Sequence, residues 1–153
     1  MTQPKPKLTT LLTNRKKTVG KSRDTAKVRL EWINAVRGLL VSIEEWLADL
    51  RKKGLADWER GSVSVTEEGL GTYQSEQLTL RLAGDELLVV RPVARIIIGG
   101  AGRVDVVSGP RREMLIRDKK LVWHVAKRDP QLKLTKLNKA VFEDLLAEML
   151  SAA

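Results

Sequence analysis

Gln77-Leu78-Thr79-Leu80-Arg81-Leu82-Ala83-Gly84-Asp85-Glu86-Leu87-Leu88-Val89-Val90 decides the fold. Leu78, Leu80 and Leu82 alternate with Thr79 and Arg81. A period of two is the signature of a strand with one apolar face. Gly84-Asp85 is a turn signal, and a second apolar run, Leu87 to Val90, follows at once. A link this short joins antiparallel neighbours.

The same grammar continues towards the C-terminus. Apolar runs at Val93 to Ile98, Val104 to Val107, Met114 to Ile116 and Leu121 to Val125 are separated by turn-forming stretches. These are Gly99-Gly100-Ala101-Gly102, Ser108-Gly109-Pro110, Asp118-Lys119-Lys120 and Asp129-Pro130. Val63 and Val65 extend the pattern upstream. The region from Ser62 to about Leu134 is therefore expected to form an antiparallel meander of about six strands, as a curved sheet or a small barrel. Pro92 should mark a bulge, a break or an edge, because it cannot donate to a ladder.

Upstream the period lengthens. Ile33, Val36, Leu40, Ile43, Leu47 and Leu50 alternate by three and four, the pattern of a helix seam. Trp32, Leu39 and Trp46 recur beside it every seven residues. A long helix is expected from about Asp24 to Lys53, with Ser22 or Asp24 as N-cap and Gly54 as the stop. Its apolar face is wider than a two-stranded seam needs, which suits packing on a sheet, on a second chain, or on both. A final helix is expected from about Lys139 to Leu150, with Asn138 as N-cap and Leu137 stapled on Phe142. The order is α+β: long N-terminal helix, antiparallel sheet, C-terminal helix.

Residues 1–22 read differently. Pro4, Pro6, Gly20 and the run Arg15-Lys16-Lys17 oppose a packed element. They are expected to form a basic flexible arm before a single domain at 23–153. Leu8, Leu11 and Leu12 have the spacing of one helical turn that could dock on something.

Charge is unevenly distributed. The first thirty residues hold nine Lys/Arg against Asp24 alone, a net +8 of the chain's +9. Residues 31–80 are net acidic, 81–139 net basic, and 140–153 acidic again. A block of one sign speaks to partners more than to folding, and the commonest partner of such a block is a polyanion. Arg95, Arg103, Arg111 and Arg112 lie in the meander, where planar guanidinium groups could add phosphate contacts. They could equally be the solvated face of a sheet, neutralised by the acidic helices.

The chain has no cysteine, which excludes disulfides and zinc–thiolate sites and suits a reducing compartment, so a cytoplasmic location is expected. No apolar run is long enough to span a membrane, and no secretory leader is expected. Gly20-Lys21-Ser22 lacks the earlier glycine and the preceding strand of a phosphate loop. Asp105 and Asp118-Lys119-Lys120 faintly echo a metal nuclease, but turn chemistry explains the latter more simply. His124 is the lone histidine; without cysteine it has no Cys–His pair, and a Ser–His pair stays open by count although no G-x-S-x-G is present. No catalytic residue, metal ligand or cofactor is expected.

These observations point to a small non-enzymatic accessory protein that contacts nucleic-acid backbone. Lys5, Lys7, Arg15, Lys16, Lys17, Lys21 and Arg23 of the arm would lead, with Arg95, Arg103, Arg111 and Arg112 in support. The arm has no aromatic residue, so base stacking is not expected from it. The alternative is a protein–protein adaptor, subunit or homodimer joined through Trp32, Leu39 and Trp46.

Overall fold

The computed structural model describes residues 7–151. The chain runs α1 (Lys7–Lys52), β1 (Ala56–Glu67), β2 (Gly71–Leu82), β3 (Glu86–Ala94), β4 (Arg103–Ser108), β5 (Arg111–Arg117), β6 (Trp123–Arg128), β7 (Leu132–Lys136) and α2 (Lys139–Ser151). This is the α+β order that the periodicities imply. The seven strands pair in sequence order, each antiparallel to the next. The sheet stays open, with β1 and β7 as its edges.

Alternation decides which side chains face the helices. Cross-strand partners share a face. Leu80 and Leu88 are partners, as are Leu78 and Val90, Val90 and Val106, Val104 and Leu115, and Leu115 and Val125. All of these are buried. Trp32, Val36, Leu39, Leu40, Ile43 and Leu47 of α1 pack into the same buried cluster as these strand residues, joined by Phe142, Leu145, Leu146 and Met149 of α2. Trp32 lies 5.8 Å from Trp123, and Trp46 the same distance from Phe142, centroid to centroid. Pro92 sits where the β3–β4 register shifts, so the bulge implied by its missing N–H is present.

Helix ends follow their sequence signals. Gly54 adopts φ 72°, Gly54 N donates to Arg51 O, and Leu55 N donates to Leu50 O. That pair of bonds is a Schellman cap, which needs a residue at positive φ and so favours glycine. At α2, Asn138 Oδ1 accepts from Val141 N at 2.8 Å.

Two expectations are corrected. First, α1 begins at Lys7, not at Asp24, so neither Ser22 nor Asp24 caps it. The basic segment is a continuation of the packed helix. Once a helix is nucleated by packing, each added residue gains a hydrogen bond without a new nucleation cost. Thr13, Thr18 and Thr25 return their hydroxyls to carbonyls four residues back, consistent with helix throughout. Every residue from Lys7 to Asp24 is exposed. Second, β1 begins at Ala56 rather than near Ser62, and β7 is added as an exposed edge strand.

Candidate nucleic-acid interface

The basic segment projects from the body as bare helix. From Lys7 to Val28 it is about 33 Å long at 1.5 Å per residue. Lys7, Arg15, Lys16, Lys17, Lys21, Arg23 and Lys27 make no ion pair among the described residues. Lys5 lies outside the described residues. At about 100° per residue, Lys16, Arg23 and Lys27 share one side, while Lys7, Lys17 and Lys21 lie round the back. Arg15 completes the ring on a third side. Charge therefore surrounds this part of the helix instead of forming a single stripe.

The segment is rooted by two contacts. Arg29 Nη1 donates to Leu70 O at 2.8 Å, fastening α1 to the β1–β2 turn. Two residues on, Glu31 receives both terminal nitrogens of Arg117. Arg117 is buried, its Nε donates to Ala101 O at 2.9 Å, and its guanidinium lies 5.1 Å over the Trp32 ring. The Arg117 hydrogen bonds hold the Glu31 carboxyl below the usual carboxylate range, against the opposing effect of burial.

The four meander arginines are all engaged within the chain. Arg95 approaches Glu31 at 3.9 Å, and its Nε is buried without a hydrogen-bond partner. Arg111 Nη1 donates to Met149 O at 2.5 Å, where the last carbonyls of α2 lack helical partners. Arg103 binds Asp105 through Nε at 2.8 Å and Nη2 at 3.1 Å. Arg112 Nε lies 3.4 Å from Asp105 Oδ2. Only these last two share a site, on the sheet face away from the helices. The acidic helices do neutralise part of the meander, through Arg117–Glu31, Lys127–Glu148 and Arg60–Glu44.

Asp105 and Arg117 are the two site residues that composition alone passes over. Both had a period-two signal. Asp105 sits between inward Val104 and Val106, and Arg117 is two residues beyond inward Leu115.

Trp32, Leu39 and Trp46 do not form a free interface. The sheet and Trp123 enclose Trp32, Leu39 is buried with it, and Trp46 is half-buried on Phe142. The width of the apolar face is taken up inside the chain. The exposed apolar residues of α1 are Leu8, Leu11, Leu12, Val19, Leu30 and Val41 instead.

His124 Nε2 lies 2.7 Å from Asp118 Oδ2, and Asp118 Oδ1 accepts from Lys120 N and Val122 N. Asp118 thus organises the β5–β6 turn. Its carboxyl is held low first by the Val122 N–H and then by His124. Asp105 lies in its arginine fork on another strand. Among the described residues no three His, Asp or Glu side chains converge to hold a metal ion, and no helix is long and apolar enough to cross a membrane.

No protein-family model, curated protein or solved structure matches the chain. Fold and surface thus define its class on their own terms: an open seven-stranded α+β meander from which a basic helix projects.

Proposed function

We propose that the chain is a non-enzymatic nucleic-acid-binding accessory protein whose projecting basic helix contacts the phosphate backbone. The observation that carries the reading is the run of unpaired Lys and Arg round the exposed helix from Lys7 to Lys27. A helix ringed by charge suits a groove, which presents phosphates on both walls. The lack of aromatic residues in the segment suits contacts to backbone rather than to bases.

The test is affinity for duplex DNA, single-stranded DNA and RNA across a salt series. A variant with Lys16, Lys17, Lys21 and Arg23 changed to Gln is compared with the wild-type chain. Each lost phosphate contact should flatten the log–log salt slope by about 0.9 on a duplex. Equal affinity and slope for the two proteins would discard the reading.

An adaptor role has its own observation. Leu8, Val19, Leu30 and Val41 are exposed and spaced by eleven residues, which places them in one line along the helix. A partner protein could cover that ridge. Light scattering of the purified chain, with Leu8 and Val19 changed to Ser as control, tests self-association through it.

A further inference from the structure

We infer that the outer face of the sheet carries a built oxyanion site, made by Arg91, Arg103 and Arg112 around the buried carboxylate of Asp105. The inference deepens the nucleic-acid reading and rests on it for the identity of the ligand, a backbone phosphate.

Three rows of cross-strand partners bring the groups together. Arg91 lies opposite Asp105, and Asp105 opposite Met114. Arg103 lies opposite Ile116 on one side of that row, and Arg112 opposite Val107 on the other. Asp105 is therefore the hub, paired with Arg103 and Arg112 and flanked by Arg91 as its cross-strand neighbour. Its side chain is 2% exposed, although it faces away from the helices. Arg103 and Arg112 lie against it.

The carboxylate carries one charge against three. It occupies Nε and Nη2 of Arg103 and the Nε side of Arg112. The Nη1 group of Arg103 and both terminal nitrogens of Arg112 make no hydrogen bond within the chain among the described residues. The Arg112 side chain is 54% exposed, so these donors reach solvent. Arginine donors held by a carboxylate lose less freedom when they bind an anion than free side chains do. Their fork geometry matches phosphate oxygens two at a time. Asp105 is a positioning residue here: it orients the arginines and touches no ligand.

The consequence separates this site from diffuse positive charge. Removing an acid from a basic surface strengthens binding that depends on net charge alone. Removing the hub of a built site weakens it. Asp105→Asn is predicted to weaken binding of a fluorescein-labelled duplex. Arg112→Gln is predicted to weaken it about tenfold and to flatten the salt slope by about one. Inorganic pyrophosphate should shift the Nε–Hε resonances of Arg103 and Arg112 in the full chain, in a saturable way. Tighter or unchanged duplex binding by Asp105→Asn, with unchanged binding by Arg112→Gln, overturns the site. Should Asp105→Asn fail to fold, Arg112→Gln decides, because that side chain is largely solvated.

The two proposals fail separately. If the arm variant loses duplex affinity and Arg112→Gln does not, the sheet site falls and the arm reading stands. If the wild-type chain binds neither duplex, single-stranded DNA nor RNA but pyrophosphate shifts both arginines, the nucleic-acid reading falls and the oxyanion site stands. No shift on pyrophosphate and no binding to any of the three nucleic acids removes both.

Discussion

Arg117 on β5 donates two hydrogen bonds to Glu31 on α1, at 2.7 and 2.8 Å, across 86 residues of chain. The arginine is buried, whereas the carboxylate is 44% exposed. The pair stands where α1 leaves the body, so it joins the outermost inward position of β5 to the root of the basic helix.

The asymmetry of that pair sets its mutational cost. Glu31→Ala strands a buried guanidinium, which is the expensive half of a broken ion pair. Arg117→Met leaves a carboxylate that water and Arg95 still reach, and leaves Ala101 O without its side-chain donor. Glu31→Ala should therefore destabilise at least as much as Arg117→Met, with each costing about 2–4 kcal/mol by urea unfolding. A Glu31→Ala chain as stable as wild type would show that the pair is idle.

Acid should weaken this contact. The Glu31 carboxyl is depressed in the folded state, chiefly by the Arg117 hydrogen bonds. The unfolded chain thus binds the proton more readily. The stability from this group is complete above the ordinary carboxylate range and is lost as pH falls through the lowered folded value. Wild type should lose stability between about pH 5 and its acid limit more steeply than Glu31→Gln does. Parallel curves for the two proteins in a pH series of unfolding free energies would contradict this.

Gly102 has no room for a side chain. A Cβ there would lie 2.2 Å from Cζ3 of Trp32, and φ is 145°. Gly102→Ala must push the indole or the β3–β4 loop, at a cost of about 3 kcal/mol or more. Trp fluorescence and the urea midpoint should both shift, since Trp32 is completely buried against Trp123. An unchanged midpoint would mean that the loop can yield freely.

The projecting helix should be dispensable for folding. No residue from Lys7 to Asp24 is buried. Deleting residues 1–23 should change the unfolding free energy by no more than about 0.5 kcal/mol, while removing the proposed nucleic-acid contact. A large loss of stability would mean that the segment packs on the body.

Asn138→Ala should cost about 1 kcal/mol, because the Asn138 side chain accepts from Val141 N at the start of α2. Asn138→Asp should retain most of that, since aspartate caps equally well. Equal thermal midpoints for all three proteins would argue that the cap contributes nothing.

Much of the fold was readable from local pattern. Leu78, Leu80 and Leu82 declare a strand, and Gly84-Asp85 declares its turn. Pro92 marks the bulge. Ile33 to Leu50 declare a helix, and Gly54 ends it. Where reading failed, competing signals were at work. The alternation of Ala56, Trp58 and Arg60 was masked by Asp57 and Glu59, so the first half of β1 was not foreseen. Residues 7–22 carry a charge run and Gly20, which argue against packing. Against helix they argue only weakly, about 1 kcal/mol for a mid-helix glycine, and a helix extended from its packed half needs no packing of its own. The candidate site was half legible. Composition identified the basic residues of the arm, but could not distinguish the four meander arginines. Arg111 ends on an α2 carbonyl, Arg95 approaches Glu31, and Arg103 and Arg112 share Asp105.

Taken alone, the sequence determined the element types, their order and the uneven placement of charge. Those properties depend on neighbours within a few residues: side chains alternate along a strand, return every three or four positions on a helix, and turn where glycine or proline allows. The tertiary structure decided which apolar faces are spent inside the chain and which charges are cancelled. Trp32 and Leu39 became core because a seven-stranded sheet was there to cover them. Arg117 is paired with Glu31, 86 positions away, whereas Lys16 and Arg23 found no acid among the described residues. Coulomb attraction and burial act through space, and only the folded chain brings distant residues within their reach.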